Sequence, residues 1–344
     1  MTAFRLPGWQ EAAILTEVPV PSPGPGEVLL KVGGAGACHS DLHLMDWPEG
    51  RLPFDPPFTL GHENAGWVER LGPGVEGLRH GDPVAVYGPW GCGRCPACRR
   101  GSENYCERQA QIGARGGGLG RDGGLAEYLL VPSPRLLLPL GDLEPGDAAP
   151  LGDAALTPYH AIKRSLHHLT PGSSTVVIGI GGLGLLAVQI LKAISPTRVL
   201  AVDRSSSHLE GAAEAGADVC IMPRDDAAAV VREVTQGRGA DLVLDIVGTD
   251  DTLALAVACS RAEGDVTLVG LAGGTIPFSS SSQPLECSLT STYWGSVGEL
   301  HEVLDLARAD LISTVVERFR LEEAPEAYAR LRRGEVRGRA VVCP

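Results

Sequence analysis

Two short segments of the sequence bring together side chains of the kind that bind zinc. Residues 38–43 contain a thiol, two imidazoles, a hydroxyl and a carboxylate, a mixture that neither a helix nor a strand requires. The triplet Gly61-His62-Glu63 follows a proline-rich loop and opens an apolar run. Thiolate and imidazole are soft-to-borderline ligands that zinc takes. Cys38 and His62 are therefore candidate metal ligands at the ends of turns, although a lone Cys-His pair is more often structural.

A second metal signal is the cysteine lobe, residues 88–110. It contains Cys92-x-x-Cys95-x-x-Cys98 and then Cys106 on a segment rich in Gly, Pro and Arg. Four closely spaced thiolates satisfy tetrahedral zinc and leave no open coordination position, which predicts a closed structural site. A redox dithiol and an iron–sulfur cluster are alternatives, because the spacing resembles cluster-binding runs. A nucleic-acid zinc ribbon is a third alternative, favoured by the arginines of the lobe and disfavoured by the acidic balance of the chain.

A glycine turn lies between two predicted strands. A β-branched run precedes Gly179-Ile180-Gly181-Gly182-Leu183-Gly184, and a segment of helical length follows. Asp203 ends the next apolar run, about 20 residues beyond the glycines, where a βαβ dinucleotide site places an acid for the adenosine ribose. An ordinary glycine-rich turn is the alternative. The combination of strand, turn, helix and acid favours dinucleotide binding.

Length and composition narrow the class of protein. A chain of 344 residues exceeds the usual size of one core, so two domains are expected. The composition is 44% hydrophobic and 21% charged, as in soluble globular proteins, and the net charge of −13 argues against a nucleic-acid or membrane partner. No signal peptide or membrane span is evident, so we expect a cytoplasmic protein. Its nine cysteines then suggest metal ligands and buried thiols more than disulfides.

The order of predicted elements indicates two architectures. Residues 1–37 read as short strands around a Pro/Gly-rich turn, so the opening is β-rich. From the glycine turn to about residue 295, strands and helices alternate, which predicts a doubly wound parallel sheet and an α/β fold. Seven glycines between residues 113 and 124 predict a mobile surface loop that could cover a site. Two late helices are predicted over residues 299–309 and 324–333.

The metal and nucleotide motifs occur in the order seen in the zinc-containing medium-chain alcohol dehydrogenases, and the chain resembles that family from end to end. The closest resemblance is to bacterial NAD-dependent secondary-alcohol dehydrogenases. It lies in three motifs: Tyr87-Gly88-Pro89-Trp90-Gly91-Cys92, Leu156-Thr157-Pro158-Tyr159-His160 and Arg337-Gly338-Arg339.

The resemblance implies a domain organisation and an assembly. Residues 1–156 and 296–344 would form a β-rich, GroES-like catalytic domain that carries the cysteine lobe. Residues 157–295 would form a Rossmann domain for NAD, with the active site in the cleft between the domains. Each subunit would bind two zinc ions, one catalytic and one structural, and the subunits would assemble into a homotetramer or a homodimer.

The resemblance also implies the ligands of the catalytic zinc, which has three protein ligands and an open fourth position. Cys38 and His62 match the first two. The third is often a cysteine in this family, but no cysteine follows the cysteine lobe before Cys220, and Asp153 stands at the corresponding place. A Cys-His-Asp site is therefore expected, with a helix N-cap as the alternative role for Asp153.

Neighbouring residues receive supporting roles from the same resemblance. Asp41 and Glu63 would be carboxylates just outside the ligand set, one orienting His62 and the other close enough to exchange onto the metal. Ser40 would take the proton of the alcohol and pass it through the ribose hydroxyls of the cofactor to His43. A helix cap for Ser40 and a surface position for His43 are the alternatives.

Asp203 favours NAD over NADP, because a carboxylate accepts hydrogen bonds from a free 2′-hydroxyl and repels a 2′-phosphate. Arg204 beside it could soften that repulsion. Other cofactor contacts implied by the resemblance are His39 and Arg339 at the pyrophosphate, with Arg337 as a competitor, Thr157 beside the nicotinamide and Val269 near its amide. Candidates for an apolar substrate pocket, each of which could be plain core, are Trp47, Phe54, Leu119, Tyr293 and Trp294.

The expected function is reversible oxidation of small alcohols, favouring secondary ones, with NAD as hydride acceptor. A polyol, diol or primary-alcohol dehydrogenase on the same scaffold is one alternative. A non-catalytic sensor that binds NAD or zinc is another. Retention of Cys38, Ser40, His62 and an acid at position 153 argues against a degenerate site.

Overall fold

A computed structural model describes residues 1–223 and 226–344. These residues form two compact units. The first unit comprises Met1–Ala154, Gly295–Arg308 and Thr314–Pro344, and the second comprises Ala155–Trp294 and Ala309–Ser313. Within the described ranges, no helix has the length and apolarity needed to cross a membrane.

The first unit is built mainly from strands and short helices. Its strands are β1 (Thr2–Leu6), β2 (Ile14–Glu17), β3 (Val28–Ala37), β4 (Phe58–Thr59), β5 (Glu63–Leu71), β6 (Pro83–Val86), β7 (Gly116–Gly117), β8 (Gly120–Arg121), β9 (Tyr128–Val131), β10 (Leu137–Pro139), β17 (Val316–Arg320) and β18 (Arg339–Cys343). Its helices are α1 (His39–Asp46), α2 (Pro96–Arg99), α3 (Gln109–Ile112), α4 (Pro145–Ala148), α10 (Val297–Arg308) and α11 (Ala324–Arg333).

The longest strand, β3, organises the main sheet of this unit, whose order is β10-β6-β5-β3-β18-β17 with β9 also paired to β3. In the antiparallel β3–β5 pair, Gly36 lies opposite Glu63, and in the β3–β18 pair Ala37 lies opposite Ala340. The end of β3, the start of β5 and the start of β18 therefore meet at one edge of the sheet. This register brings the residues just after Ala37 close to those just before Glu63.

The second unit alternates strands and helices. Its strands are β11 (Ser174–Ile178), β12 (Arg198–Val202), β13 (Val219–Ile221), β14 (Ala240–Asp245), β15 (Ser260–Leu268) and β16 (Ser288–Ser291). Its helices are α5 (Leu156–Arg164), α6 (Gly182–Ile194), α7 (Ser206–Glu214), α8 (Ala227–Val234) and α9 (Asp250–Cys259).

The strands of the second unit form one parallel sheet, in the order β13-β12-β11-β14-β15-β16. All residues of β11 and β14 are buried, because helices cover both faces of a parallel sheet and such strands read as continuous apolar runs. The apolar core includes Val176, Leu200, Val243 and Val266. The predicted α/β fold with a parallel sheet is confirmed.

The glycine-rich stretch between residues 113 and 124 is not the surface loop that its composition predicts. Gly116, Gly117 and Gly123 are buried, and backbone hydrogen bonds hold the stretch against the neighbouring strand. For example, the Gly123 N–H donates to the Thr59 carbonyl at 2.8 Å, and the Gly124 N–H donates to the Gly61 carbonyl at 3.0 Å. A side chain at Gly116 or Gly123 would collide with neighbouring backbone, so close packing explains these glycines.

Candidate active site and metal centres

Four side chains of the first unit converge at the edge of the main sheet. Cys38, His62, Glu63 and Asp153 each offer one donor atom, and these atoms all lie within 4.8 Å of one another. The Cys38 Sγ lies 4.0 Å from the Asp153 Oδ2, and the His62 Nε2 lies 3.6 Å from the same oxygen. All three residues predicted as ligands of the catalytic metal therefore face one point.

Local structure places each donor. Cys38 links β3 to α1 as the N-cap residue of that helix, and His62 directly precedes β5. Asp153 follows a 3-10 turn over Ala149–Gly152, whereas α5 has Ala155 at its N-cap. The alternative role of Asp153 as a helix N-cap is therefore wrong, and its carboxylate is directed at the other donors instead.

Asp41 contacts the His62 ring nitrogen that faces away from the other donors. The Asp41 carboxylate is fully buried, and its Oδ1 lies 3.0 Å from the His62 Nδ1. The Cys38 N–H donates to the Asp41 Oδ2 at 3.1 Å, and the Tyr328 hydroxyl donates to the same oxygen at 2.6 Å. Burial disfavours an imidazolium, but Asp41 and Asp153 outweigh it and raise the pKa of His62 well above its usual value. The predicted contact between Asp41 and His62 is thus present. The hydrogen bond from Tyr328 to Asp41 was not predicted from the sequence.

Arg339 supplies positive charge to this buried cluster. Its guanidinium is 4% exposed and pairs with the Glu63 Oε1. Burial opposes ionisation of the Cys38 thiol, but the charge of Arg339 and the hydrogen bond with His62 outweigh it, so the pKa of Cys38 lies below its usual value. Arg339 was expected at the cofactor pyrophosphate, and that contact stays a prediction.

The donor set fits a zinc ion. One thiolate and one carboxylate would balance the charge of Zn²⁺, and the imidazole of His62, which must release its extra proton on metal binding, would complete three ligands with one position left open. The Glu63 Oε2 is buried and has no hydrogen-bond partner among the described residues. A buried carboxylate oxygen without a partner is costly, and a nearby cation would relieve that cost.

Ser40 and His43 flank the cluster on α1. The Ser40 Oγ lies 3.5 Å from the Cys38 Sγ. The ring of His43 is half-buried and stacks on Trp47 with centroids 5.8 Å apart, and burial lowers its pKa. Ser40 does not take its alternative role as a helix cap, because the N-cap of α1 is Cys38. His43 is of intermediate exposure, so its proton-transfer role stays a prediction. His39, the first residue of α1, is exposed.

The cysteine lobe forms a second cluster of donors. The Cys95 and Cys98 sulfurs lie 3.4 Å apart, Cys92 and Cys98 3.9 Å, and Cys95 and Cys106 4.0 Å. Zinc–sulfur bonds of about 2.3 Å in a tetrahedron separate sulfurs by about 3.8 Å, whereas a disulfide separates them by about 2.0 Å. Backbone N–H groups of Arg94 and Cys95 stabilise the Cys92 thiolate and lower its pKa to about 6. Burial raises the pKa of Cys98 and Cys106, so it is the spacing of the sulfurs that suits a closed zinc site.

An ion pair braces the lobe from within the same unit. The Glu103 carboxylate is nearly fully buried and accepts a hydrogen bond from the Gly91 N–H at 2.6 Å. The Arg135 Nε lies 3.0 Å from the Glu103 Oε1, and the Arg135 guanidinium also donates to the Gly91 carbonyl at 2.8 Å. Sequence reasoning missed this pair, because nothing in the spacing of positions 103 and 135 marks them as partners.

In the second unit the glycine turn joins β11 to α6. Gly179 has a φ of +91°, which disfavours other residues, and a side chain at Gly184 would collide with the Gly179 carbonyl. The Asp203 carboxylate accepts hydrogen bonds from the Ile180 N–H at 2.7 Å and the Ser205 N–H at 2.8 Å. The predicted acid therefore lies against the turn, as a ribose-binding carboxylate would.

His208 lies beside this acid and was not predicted from the sequence. Its Nδ1 is 3.3 Å from the Asp203 Oδ2. Burial opposes ionisation of Asp203, but His208 and the two backbone N–H donors outweigh it and lower the pKa of Asp203. The carboxylate of Asp203 in turn raises the pKa of His208. The two side chains therefore form an ion pair.

The remaining predicted contacts are distributed over both units. Thr157 is buried on α5, and Val269 follows β15 with its N–H donating to the Asp245 carbonyl at 2.8 Å. Among the candidates for the substrate pocket, Phe54, Leu119 and Trp294 are buried. The substrate-pocket role of these side chains stays a prediction.

Models of two protein domains match the chain. The alcohol dehydrogenase GroES-like domain matches residues 24–142, and the zinc-binding dehydrogenase domain matches residues 182–309. A NAD-dependent alcohol dehydrogenase of Sulfurisphaera tokodaii is 36% identical over 355 residues, which cover both chains completely. A D-arabinose 1-dehydrogenase (NADP(+)) of Saccharolobus solfataricus is 34% identical over 99% of this chain and 97% of that one.

A solved structure agrees with these matches. The alcohol dehydrogenase of the hyperthermophilic archaeon Aeropyrum pernix superimposes with a TM-score of 0.92 at 36% identity, and the match covers 100% of each chain. A GroES-like domain followed by a dinucleotide-type parallel sheet defines the zinc-binding dehydrogenases as a class. The chain belongs to the zinc-dependent medium-chain alcohol dehydrogenase family, as its motifs predicted.

Proposed function

We propose that this chain is a zinc-dependent alcohol dehydrogenase that reversibly oxidises small alcohols, favouring secondary ones, with NAD as hydride acceptor. The observation that carries this proposal is the convergence of Cys38, His62 and Asp153 from three separate segments, with donor atoms within 4.8 Å. The two domains of the family and the NAD-dependent relatives support it further.

Cys38, His62 and Asp153 would hold the catalytic zinc, and the four thiols of the cysteine lobe would hold the structural one. A bound zinc with an open position supplies Lewis acidity, which lowers the pKa of a substrate hydroxyl and polarises a carbonyl in the reverse direction. Asp41 fixes the ring of His62 so that its Nε2 faces the other donors. Glu63 lies close enough to exchange onto the metal as a fourth protein ligand.

Ser40 and His43 would handle the proton. The Ser40 hydroxyl lies beside the Cys38 sulfur, where it can accept a proton from a substrate hydroxyl and donate it again in reduction. Burial lowers the pKa of His43, so this imidazole is neutral near pH 7 and can receive a proton. The charge of the buried Arg339 lowers the pKa of Cys38, and its guanidinium pairs with Glu63, whose own pKa burial raises well above its usual value.

The second unit would bind the cofactor. Gly179, Gly181 and Gly184 would allow the pyrophosphate to approach the backbone, and Asp203 would accept hydrogen bonds from the ribose hydroxyls. The carboxylate of Asp203 supports NAD over NADP, because it would repel a 2′-phosphate. Arg204 and His208 place positive charge nearby, which leaves room for some use of NADP.

A sugar or polyol is a second candidate substrate. The observation that favours it is the similarity to a D-arabinose 1-dehydrogenase, which matches almost the whole chain. The two candidates differ in the substrate pocket, since a polyol needs polar partners for each additional hydroxyl group.

Kinetics would separate these candidates. We would measure turnover of the zinc-replete protein with NADH and NADPH across matched primary alcohols, secondary alcohols, polyols and aldoses, together with their carbonyl products. The proposal expects chelator-sensitive, NAD-linked turnover with the highest kcat/KM on secondary alcohols or ketones. Higher kcat/KM on aldoses would favour the second candidate, and no turnover despite two bound zinc ions would argue for a binding role.

We further propose a cytoplasmic homo-oligomer. All nine cysteines are free thiols, which suits a reducing compartment. The edge strand β16 and the strongly exposed Phe278 and Leu285 offer an apolar surface on the second unit that a second subunit could cover. Light scattering on the purified protein would distinguish a monomer from a dimer or a tetramer.

A further inference from the structure

A tyrosine hydroxyl reaches the candidate metal centre from the far end of the chain. Tyr328 lies on α11, is 4% exposed, and donates to the Asp41 Oδ2 at 2.6 Å. The two residues are 287 positions apart in the sequence. The ring of Tyr328 stacks on Phe4 with centroids 5.6 Å apart, which fixes the direction of the hydroxyl.

The carboxylate of Asp41 distributes three hydrogen bonds over two oxygens. The Oδ2 accepts from the Tyr328 hydroxyl and the Cys38 N–H, and the Oδ1 is left to His62. The Tyr328 bond is the shortest of the three. It therefore limits both the rotation of the carboxylate and the negative charge that reaches the imidazole.

We propose that Tyr328 is a positioning residue for the catalytic metal, acting through Asp41 on His62. The inference rests on the function proposed above, since it requires His62 to be a metal ligand. A carboxylate that loses one of its donors becomes freer to rotate and a stronger base, and either change disturbs the ring that it orients. Burial raises the pKa of Tyr328 well above its usual value, so the hydroxyl stays protonated and remains a donor.

A purely structural role is the competing explanation, because a buried tyrosine needs a hydrogen-bond acceptor in any case. Tyr87 provides a matched control within the same unit. It is fully buried, and its hydroxyl donates to the Gly295 carbonyl at 2.5 Å, whereas that of Tyr328 donates to Asp41. Tyr87→Phe and Tyr328→Phe each remove one buried hydroxyl, but only the second changes the environment of Asp41.

The experiment measures the metal directly. For the wild type and both variants, we would follow release of the catalytic zinc to a chromogenic chelator and record the visible spectrum after cobalt substitution at that site. Partners directly behind a ligand change metal affinity by about 10–100-fold, so one further step away we expect Tyr328→Phe to release zinc about 3–10-fold faster. It should also shift the cobalt bands, whereas Tyr87→Phe should change neither.

A double-mutant cycle tests whether the effect passes through Asp41. In an Asp41→Asn background, Tyr328→Phe should add less than twofold to the release rate. An unchanged cobalt spectrum in Tyr328→Phe, or a release rate that Tyr87→Phe matches, would overturn the inference. A wild type that binds only one zinc per chain would instead overturn the proposed function itself, so the two failures are distinguishable.

Discussion

Asp153 differs chemically from the cysteine that often fills its place in this family. Its carboxylate lies 3.6 Å from the His62 Nε2 and 4.0 Å from the Cys38 sulfur, so its oxygen meets the other donors without any movement of the backbone. A carboxylate is a harder ligand than a thiolate and donates less electron density to a bound metal ion. The charge of a zinc ion held there would then act more strongly on a substrate oxygen.

Replacing Asp153 tests this assignment. Asp153→Ala should lose the catalytic zinc and at least about 100-fold in kcat/KM, because removing a ligand costs more than removing a partner behind it. Asp153→Cys should retain the metal with altered activity. Metal analysis and kinetics would be compared with Asp147→Ala, which removes an exposed carboxylate that pairs with Arg318. Full activity and a full complement of zinc in Asp153→Ala would show that Asp153 is not a ligand.

At the scale of elements, the connection between β12 and α7 in the second unit contains an ion pair between Asp203 and His208. Asp203 belongs to the loop after β12, and His208 lies on α7 just beyond it. The side chain of His208 is 29% exposed, so the pair contributes within the range of partly exposed ion pairs, about 0.5–1 kcal/mol.

This pair predicts a pH-dependent contribution to stability. Because the folded pKa of His208 is raised, its contribution is fully present below the unfolded pKa of about 6.5 and is lost as the pH rises through the folded value. His208→Gln should therefore lower the melting temperature by about 1–3 °C at pH 6 and by much less at pH 9. Thermal unfolding at both pH values would be compared with the exposed His167→Gln. Equal losses at pH 6 and pH 9 would contradict the ion pair.

The cysteine lobe contains only short helical turns and no strand among residues 92–106, so we expect a bound metal ion to hold its cysteines together. Cys98→Ala should remove one zinc per chain and destabilise the protein by about 3–5 kcal/mol, as loss of a structural metal does. Zinc content and thermal unfolding would be measured beside Cys220→Ala, which removes an exposed thiol. A stable Cys98→Ala protein with two bound zinc ions would rule out the structural site.

Sequence spacing predicted the features whose residues lie close together in the chain. The four cysteines, the glycine turn and Asp203 each lie within one short stretch, where spacing constrains geometry. Tyr328 and Arg135 could not be predicted in this way, because they meet Asp41 and Glu103 only after segments distant in the sequence have packed together. The glycines near residue 118 were misread because composition does not distinguish a mobile glycine from one required by close packing.

At the scale of the whole molecule, the two metal centres should differ in how they lose zinc. Four thiolates would enclose a bound zinc completely, whereas three protein ligands would leave one position that a chelator can enter. We expect a chelator to abolish activity with loss of the first zinc, before the melting temperature falls with loss of the second. Parallel time courses of activity, zinc release and unfolding would show this order. Simultaneous loss of activity and fold would contradict it, and added zinc should restore activity after the first phase.

The sequence separation of the ligands has a consequence for synthesis of the protein. Cys92 and Cys106 are 14 residues apart, whereas Cys38 and Asp153 are 115 residues apart. Closing the longer loop costs more chain entropy and requires that the strands between its ends have already paired. If these residues hold the two ions, a growing chain can load zinc into the cysteine lobe soon after it leaves the ribosome, but it must wait for Asp153 before it can load the catalytic ion. Nascent chains stalled at increasing lengths should acquire the two ions in that order.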